Sequence, residues 1–233
     1  MFKNRSDKKE LLDADDIPQA DLFRNLYELN LINKYLGGHA VTLNALDKLK
    51  LKKDRKYTII DIGCGGGDTL VSVAKWGRKR GLQLDLVGVD LKSDCIAYAA
   101  QFCAKYSEIT LVQNDYVDWF KQNPKVDITI SSLFCHHLAN EEFSQLIYLS
   151  SKSSKIAFII NDLHRNALAY YSIACLTYLF SKSYLVKNDA KLSVLRGFSK
   201  NDLLQIFASY QNASIAWKWA FRWQIILDKN VAL

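Results

Sequence analysis

Four groups of residues in this 233-residue chain have types that can do chemistry. The first is Asp61-Ile62-Gly63-Cys64-Gly65-Gly66-Gly67-Asp68. Its glycines, lacking a Cβ, let the backbone take positive φ and let a ligand reach main-chain N–H groups at the start of a helix. It is not a G-x-G-x-x-G fingerprint, because Asp68 occupies the third glycine position, and no Gly-Lys-Ser/Thr follows to cradle a phosphate. The second holds two acids, Asp90 in Val89-Asp90-Leu91 and Asp115 in Asn114-Asp115-Tyr116. An acid in the position of Asp90 can accept both hydroxyls of a ribose. The third is Ser131-Ser132-Leu133-Phe134-Cys135-His136-His137-Leu138 and the fourth is Asn161-Asp162-Leu163-His164-Arg165. Neutral imidazole takes a proton near pH 7, so His136, His137 and His164 are candidate bases. Asp162 is placed to orient His164, and Arg165 to grip an anionic group of a substrate. The alternative is an ion pair between Asp162 and Arg165 beside an idle His164.

Positioning these stretches takes strands that end where they begin. From Lys56 onward short apolar runs alternate with amphipathic segments, the pattern of βαβ units. Strands are expected at Tyr57–Ile62, Leu84–Val89, Ile109–Gln113, Asp127–Ser131 and Ile156–Ile160, with a closing pair near Ser214–Trp219 and Arg222–Leu227. Helices fall near 68–80, 93–106, 116–122, 141–151 and 200–210. Each reactive stretch then follows a strand, at the carboxyl edge where open α/β sheets bind ligands. Residues 1–55 form a separate helical extension: Asp16-Ile17-Pro18 opens a helix with Leu22, Leu26, Leu29, Ile32, Tyr35 and Leu36 on one stripe. Gly37-Gly38 breaks it before a second helix from Val41 to Leu49, and His39 at the bend is a candidate pocket residue, against the plainer reading of a surface turn. Residues 56–233 form the main domain, with a helical insertion at 167–185 that is too short to span a bilayer comfortably. Tyr170 and Tyr171 in it read as a wall over an apolar substrate, against ordinary core packing.

The Asp61-x-Gly63-x-Gly65-x-Gly67 stretch resembles the first motif of the class I S-adenosylmethionine (SAM)-dependent methyltransferases. That resemblance implies a Rossmann-like seven-stranded sheet with helices on both faces and an N-terminal helical cap. It implies SAM as cofactor, held by Asp61, Gly63, Cys64, Gly65 and Gly67, by Asp90 and Leu91, by Asp115 and Tyr116 toward the adenine, and by Ser132. SAM carries an ammonium, a carboxylate and a sulfonium but no phosphate, which suits an acid beside a loop of N–H groups. Leu36–His39, Asp61–Asp68, Ser131–Leu138 and Asn161–Arg165 together look like bacterial small-molecule methyltransferases of the UbiE/COQ5-like, polyketide-tailoring kind. The catalytic candidates remain His136, His137 and His164 with Asp162; the substrate candidates are Arg165, Tyr170, Tyr171 and His39. Cation-dependent catechol-type methyltransferases carry Asp-Asn where this chain has Asn161-Asp162, and a further acid where it has only serines, so no metal is expected.

Net charge is +7 and the sequence pI near 9.0, which raises nucleic acid as a partner. The basic residues concentrate in Lys48 to Lys56 and Lys75 to Arg80, at the edge of the sheet opposite the chemistry. No Asn/Asp-Pro-Pro-aromatic motif of amino-group methyltransferases follows the fourth strand, so the partner expected is a small-molecule acceptor, with a membrane surface facing Lys48–Lys56 as a lesser reading. The five cysteines lack metal-ligand or disulfide spacing and read as buried free thiols, and Met1 leads into charged sequence without a signal peptide, which together point to the cytoplasm. The reading is a methyltransferase acting on a hydroxyl or a carbon of an apolar aromatic molecule. An RNA methyltransferase and a non-catalytic SAM-binding protein are its rivals, and the oligomeric state is not legible.

Overall fold

Apolar side chains on both faces suit a strand covered on both sides. Tyr57 to Ile62 has them, and it lies near the centre of the sheet as β1 (Lys56–Ile62) in a computed structural model that describes residues 1–14 and 16–229. Alternation sends Ile60 and Ile160 into one core with Phe143, Phe158 and Phe198, and Ile59 and Ile159 into another with Leu70, Leu86 and Ile128. The sheet has seven strands in the order β3-β2-β1-β4-β5-β7-β6. They are β2 (Gln83–Asp90), β3 (Ile109–Gln113), β4 (Val126–Ser132), β5 (Ser154–Leu163), β6 (Ala213–Lys218) and β7 (Arg222–Asp228). β1 to β5 are parallel and β7 runs antiparallel between β5 and β6. Strand order reverses between β1 and β4, which opens a crevice at their carboxyl ends.

Helices α3 (Asp68–Arg80), α4 (Ser93–Cys103), α5 (Tyr116–Gln122), α6 (Asn140–Ser153) and α9 (Lys200–Ile206) follow the strands. Residues before the sheet form a 3-10 turn at Leu11–Asp13, then α1 (Gln19–Tyr35) and α2 (Gly38–Lys48). Leu22 and Leu26 of the expected stripe bury against Cys95, whereas Tyr35 is exposed. The bend is made by Gly37 alone, at φ 73°, so His39 belongs to the first turn of α2 and not to a loop. The helical insertion is two helices, α7 (Ala167–Phe180) and α8 (Tyr184–Arg196), because Ser183 accepts from Val186 N and starts a new helix where one segment ending at Leu185 was expected. β5 runs past Ile160 because β7 pairs with it through Asp162↔Trp223 and Leu163↔Arg222.

Ion pairs engage part of the basic edge: Arg55 with Asp127 at 2.8 Å, Arg78 with Glu108 and Arg80 with Asp47, both at 2.6 Å. Four cysteines are buried and Cys175 is exposed, in contrast to the expectation for that thiol. Among the described residues no helix is long and apolar enough to cross a membrane.

Gly67 and Gly81 share a left-handed backbone, at φ 76° and 67°, but differ in surroundings. A Cβ on Gly67 would stand 2.7 Å from Cys103 Sγ, whereas one on Gly81 meets nothing nearer than 4.0 Å. Alanine at Gly81 should cost about 1 kcal/mol for φ alone. At Gly67 it should cost roughly 2 kcal/mol more, for crowding, by urea unfolding.

Candidate functional site

The loop after β1 is fixed from below by Gly63 N and Cys64 N, which donate to Val89 O at 2.9 and 3.1 Å. Gly63 is obligatory in kind: at φ 69° its missing Cβ would lie 2.3 Å from the Phe134 ring. Asp90 accepts from Gly65 N at 2.9 Å and from Lys92 N at 3.0 Å, which ties the end of β2 to the loop. Burial nevertheless outweighs those two N–H bonds and raises the Asp90 carboxyl above its ordinary range. Around these groups lies a cavity of about 600 Å³ lined by Gly63, Cys64, Gly65, Asp90, Leu91, Asp115, Tyr116 and Ser132. Asp61 and Gly67 do not line it. Asp61 lies buried under the loop with Oδ1 unpaired, and burial, then the nearby carboxylates of Asp68 and Asp90, raise its own carboxyl well above the usual value. Gly67 serves α3, as the left-handed residue preceding it, packed on Cys103 and Ala99.

The second half of the site grows from the turn after β4. His136 N and His136 Nδ1 both face the Asp162 carboxylate, at 3.1 and 2.7 Å, and both residues are buried. Burial raises the Asp162 carboxyl, but the charge of His136 and its hydrogen bond more than offset this and leave it below its ordinary value. With Nδ1 donating to Asp162, the other ring nitrogen of His136 carries the lone pair and faces Glu10. His137 turns Nδ1 to Asp13 at 3.0 Å, and the two imidazoles lie 4.3 Å apart. Burial pushes the Glu10 carboxyl up to about 7 despite His137 and a hydrogen bond from Ser193. The opposite happens at Asp13, where His137 overcomes burial and brings the carboxyl down to about 2.

Glu10, His136 and His137 line a second cavity of about 310 Å³, whose other walls are mostly apolar, among them Ile32, Leu36, Ile173, Leu176, Trp219 and Phe221. The two cavities share Leu12, Leu29, Leu133 and His137. Leu133 holds the common wall at φ 55°, an uncommon backbone for a leucine.

Five sequence candidates stand elsewhere. Arg165 is buried and gives its donors to Phe2 O, Lys3 O and Gly197 O, with Asp202 at 2.8 Å, so it anchors the N-terminal segment and cannot grip a substrate. His164 lies outside both cavities, with its Nδ1 accepting from Trp217 Nε1 at 3.3 Å and its ring against Trp223; Asp162 orients His136 in its place. Tyr170 packs on Phe2 and Tyr171, and Tyr171 is exposed; α7 lines the cavity with Ala169, Ser172, Ile173 and Leu176 on another face. His39 is taken up by Asn30 at 3.3 Å and Asp68 at 3.6 Å, and burial lowers its pKa.

The sequence reading missed Glu10 and Asp13, which arrive from the other end of the chain. Three arginines carry them there. Arg5 donates to His136 O and Leu138 O, Arg196 to His136 O, His137 O and Lys8 O, and Arg165 to Phe2 O and Lys3 O. Asp189 then accepts from Leu11 N and Leu12 N, both at 2.9 Å. Arginines and an acid at irregular spacing were the available signal, and nothing local distinguishes them from surface charge.

Residues 59–170 match the methyltransferase domain family. A SAM-dependent methyltransferase of Methanococcus maripaludis, described as putative, superposes with a TM-score of 0.57 at 15% identity, over 98% of each chain. Magnesium protoporphyrin IX methyltransferase of Synechocystis PCC 6803, with bound S-adenosylhomocysteine (SAH), gives 0.56 at 19% identity, over 89% of this chain and 91% of that one. A plantazolicin methyltransferase in complex with a triazolic analogue and SAH gives 0.61 at 16%, over 85% and 76%. The fold is that of the Rossmann-like methyltransferases.

Removing the guanidinium with Arg165→Met should release residues 1–9 from the body. Limited trypsin digestion read by mass spectrometry should then cut at Arg5, Lys8 or Lys9 at least several-fold faster than in wild type, while the sheet core stays intact.

Proposed function

We propose that this chain, whose residues 59–170 match the methyltransferase domain family, transfers the methyl group of SAM to a hydroxyl, or else to a carbon, of an apolar, ring-bearing small molecule. The observation that carries the reading is the pair of cavities meeting at His137 and Leu133, one polar-edged beside the glycine loop and one mostly apolar beside the imidazoles. The donor set of the larger cavity fits SAM. Asp90 suits ribose hydroxyls, Asp115 with Tyr116 suits the adenine, and Gly63, Cys64, Gly65 and Gly66 of the loop border the same space at the start of α3. Bound there, SAM supplies an electrophilic methyl group with its leaving group already attached.

This chain's own residues then have three tasks. Leu133 and Leu29 bound both spaces and keep water from the junction. The walls of the smaller cavity position the acceptor by shape. His136, fixed by Asp162, or His137, fixed by Asp13, takes a proton from the acceptor at Nε2. The acceptor class follows from those walls, and a UbiE-like, polyketide-tailoring role accords with it. Free thiols at all five cysteines suit work in the cytoplasm. The RNA reading has less support, because the basic clusters that suggested it lie at the edge of the sheet opposite the two cavities, and Arg55, Arg78 and Arg80 among them are held in ion pairs.

Calorimetry should give micromolar binding of SAM and SAH to wild type, weakened at least tenfold by Asp90→Ala. With a panel of hydroxylated aromatic acceptors, His136→Ala should lower methyl transfer about 10²- to 10⁴-fold at unchanged SAM affinity. Full SAM binding with no transfer to any acceptor, together with indifference to His136→Ala and His137→Ala, would leave a binding protein without catalysis.

A further inference from the structure

We propose that Glu10, His136 and His137 form a binding site for a divalent first-row transition-metal cation, of which zinc is the model case. One ligand atom from each of the three residues lies within 4.8 Å of the others. His136 Nε2 is 3.6 Å from Glu10 Oε1 and His137 Nε2 is 3.9 Å from Glu10 Oε2. Ligands about 2.0–2.2 Å from a tetrahedral cation stand roughly 3.4 Å apart, so small side-chain adjustments bring the three atoms to coordination distance.

The surroundings are built in the way such a centre requires. Imidazoles that hold a metal through one nitrogen ordinarily donate the other N–H to a carboxylate or carbonyl, which fixes the tautomer and ring angle. Both histidines do this: His136 Nδ1 faces Asp162 at 2.7 Å and His137 Nδ1 faces Asp13 at 3.0 Å. Each ring therefore presents an Nε2 lone pair on the Glu10 side. Glu10 is fixed in turn by Ser193 Oγ, which donates to Oε1 at 2.8 Å, and Arg196 lies 3.9 Å from the same oxygen. Two imidazoles and one carboxylate are borderline donors that suit zinc, iron, cobalt or nickel and give no advantage to magnesium or calcium.

The sequence held no sign of this centre, because its carboxylate comes from the N-terminal segment and its imidazoles from the turn after β4. All three ligands border the smaller cavity, so coordination positions not filled by protein open toward it. Resting on the methyl-transfer reading, the acceptor is then a molecule with an oxygen donor, such as a phenol or an enol. Coordinated oxygen ionises at lower pH, so the acceptor gives up its proton to solvent water as it binds the cation, and no free imidazole is needed to take it.

The test uses full-length protein carrying Cys175→Ser, which removes the exposed thiol, dialysed against chelator. Zinc titration by calorimetry should show one equivalent, and cobalt should give visible d–d absorption of tetrahedral or five-coordinate strength. Glu10→Gln and His137→Asn should each weaken zinc at least tenfold and bleach the cobalt bands, while His164→Ala and His39→Ala leave both unchanged. SAM affinity, measured on the same samples without metal, establishes that each variant is folded and tests the methyl-transfer reading separately. No stoichiometric zinc binding, or equal binding by wild type and Glu10→Gln, would overturn the metal site whatever the SAM result.

Discussion

A fully buried carboxylate, Asp162, holds this site together. It sits at the end of β5 and receives both the backbone N–H and the ring nitrogen of His136, so the turn after β4 is locked to its neighbouring strand. A charge so deeply buried persists only when paired, and removing one partner of such a pair typically costs about 3–5 kcal/mol. Locking that turn orients its carbonyls outward, where Arg5 and Arg196 collect them. Those arginines in turn fasten the N-terminal segment, and with it Glu10 and Asp13. One hydrogen-bonded pair thus organises residues drawn from both ends of the chain.

The acids at the loop answer to a different constraint. Asp61, Asp68 and Asp90 converge beneath and beside the glycines; burial raises the carboxyls of Asp61 and Asp90, and the charges of Asp68 and Asp90 raise that of Asp61 further. Asn33 meets Asp68 at 2.9 Å and also accepts from Arg222, whose own pKa burial lowers to about 10. Three carboxyls gathered in so buried a place cost stability, which local sequence preference alone would not select.

What was legible in the sequence was what is local. The β1 strand, its glycine loop and α3 are contiguous, and their apolar period and glycine spacing specify them without reference to the rest. Asp90, Asp115 and Ser132 could be placed at the crevice, whose larger cavity they line, because each stands at or next to a strand end. Arg165 was misread because a guanidinium that binds backbone carbonyls has the same sequence appearance as one that binds a ligand. Tyr170 and Tyr171 failed for a related reason: α7 carries no charged residue at all, so no polar face marks which side turns outward, and the buried face runs through Ala169 and Thr177. His164 was assigned to Asp162 by proximity in the chain. β5 extends further than its apolar run, and pairing with β7 turns the Asp162 carboxylate toward His136.

Four residues line both cavities: Leu12 of the N-terminal segment, Leu29 of α1, Leu133 and His137. None of these can shift to accommodate an occupant on one side without changing the shape offered on the other. The two binding events are therefore linked as a thermodynamic cycle, and whatever factor an occupant of one space imposes on affinity for the second must be returned in full in the opposite direction. Order of addition and product inhibition patterns then become properties of four side chains.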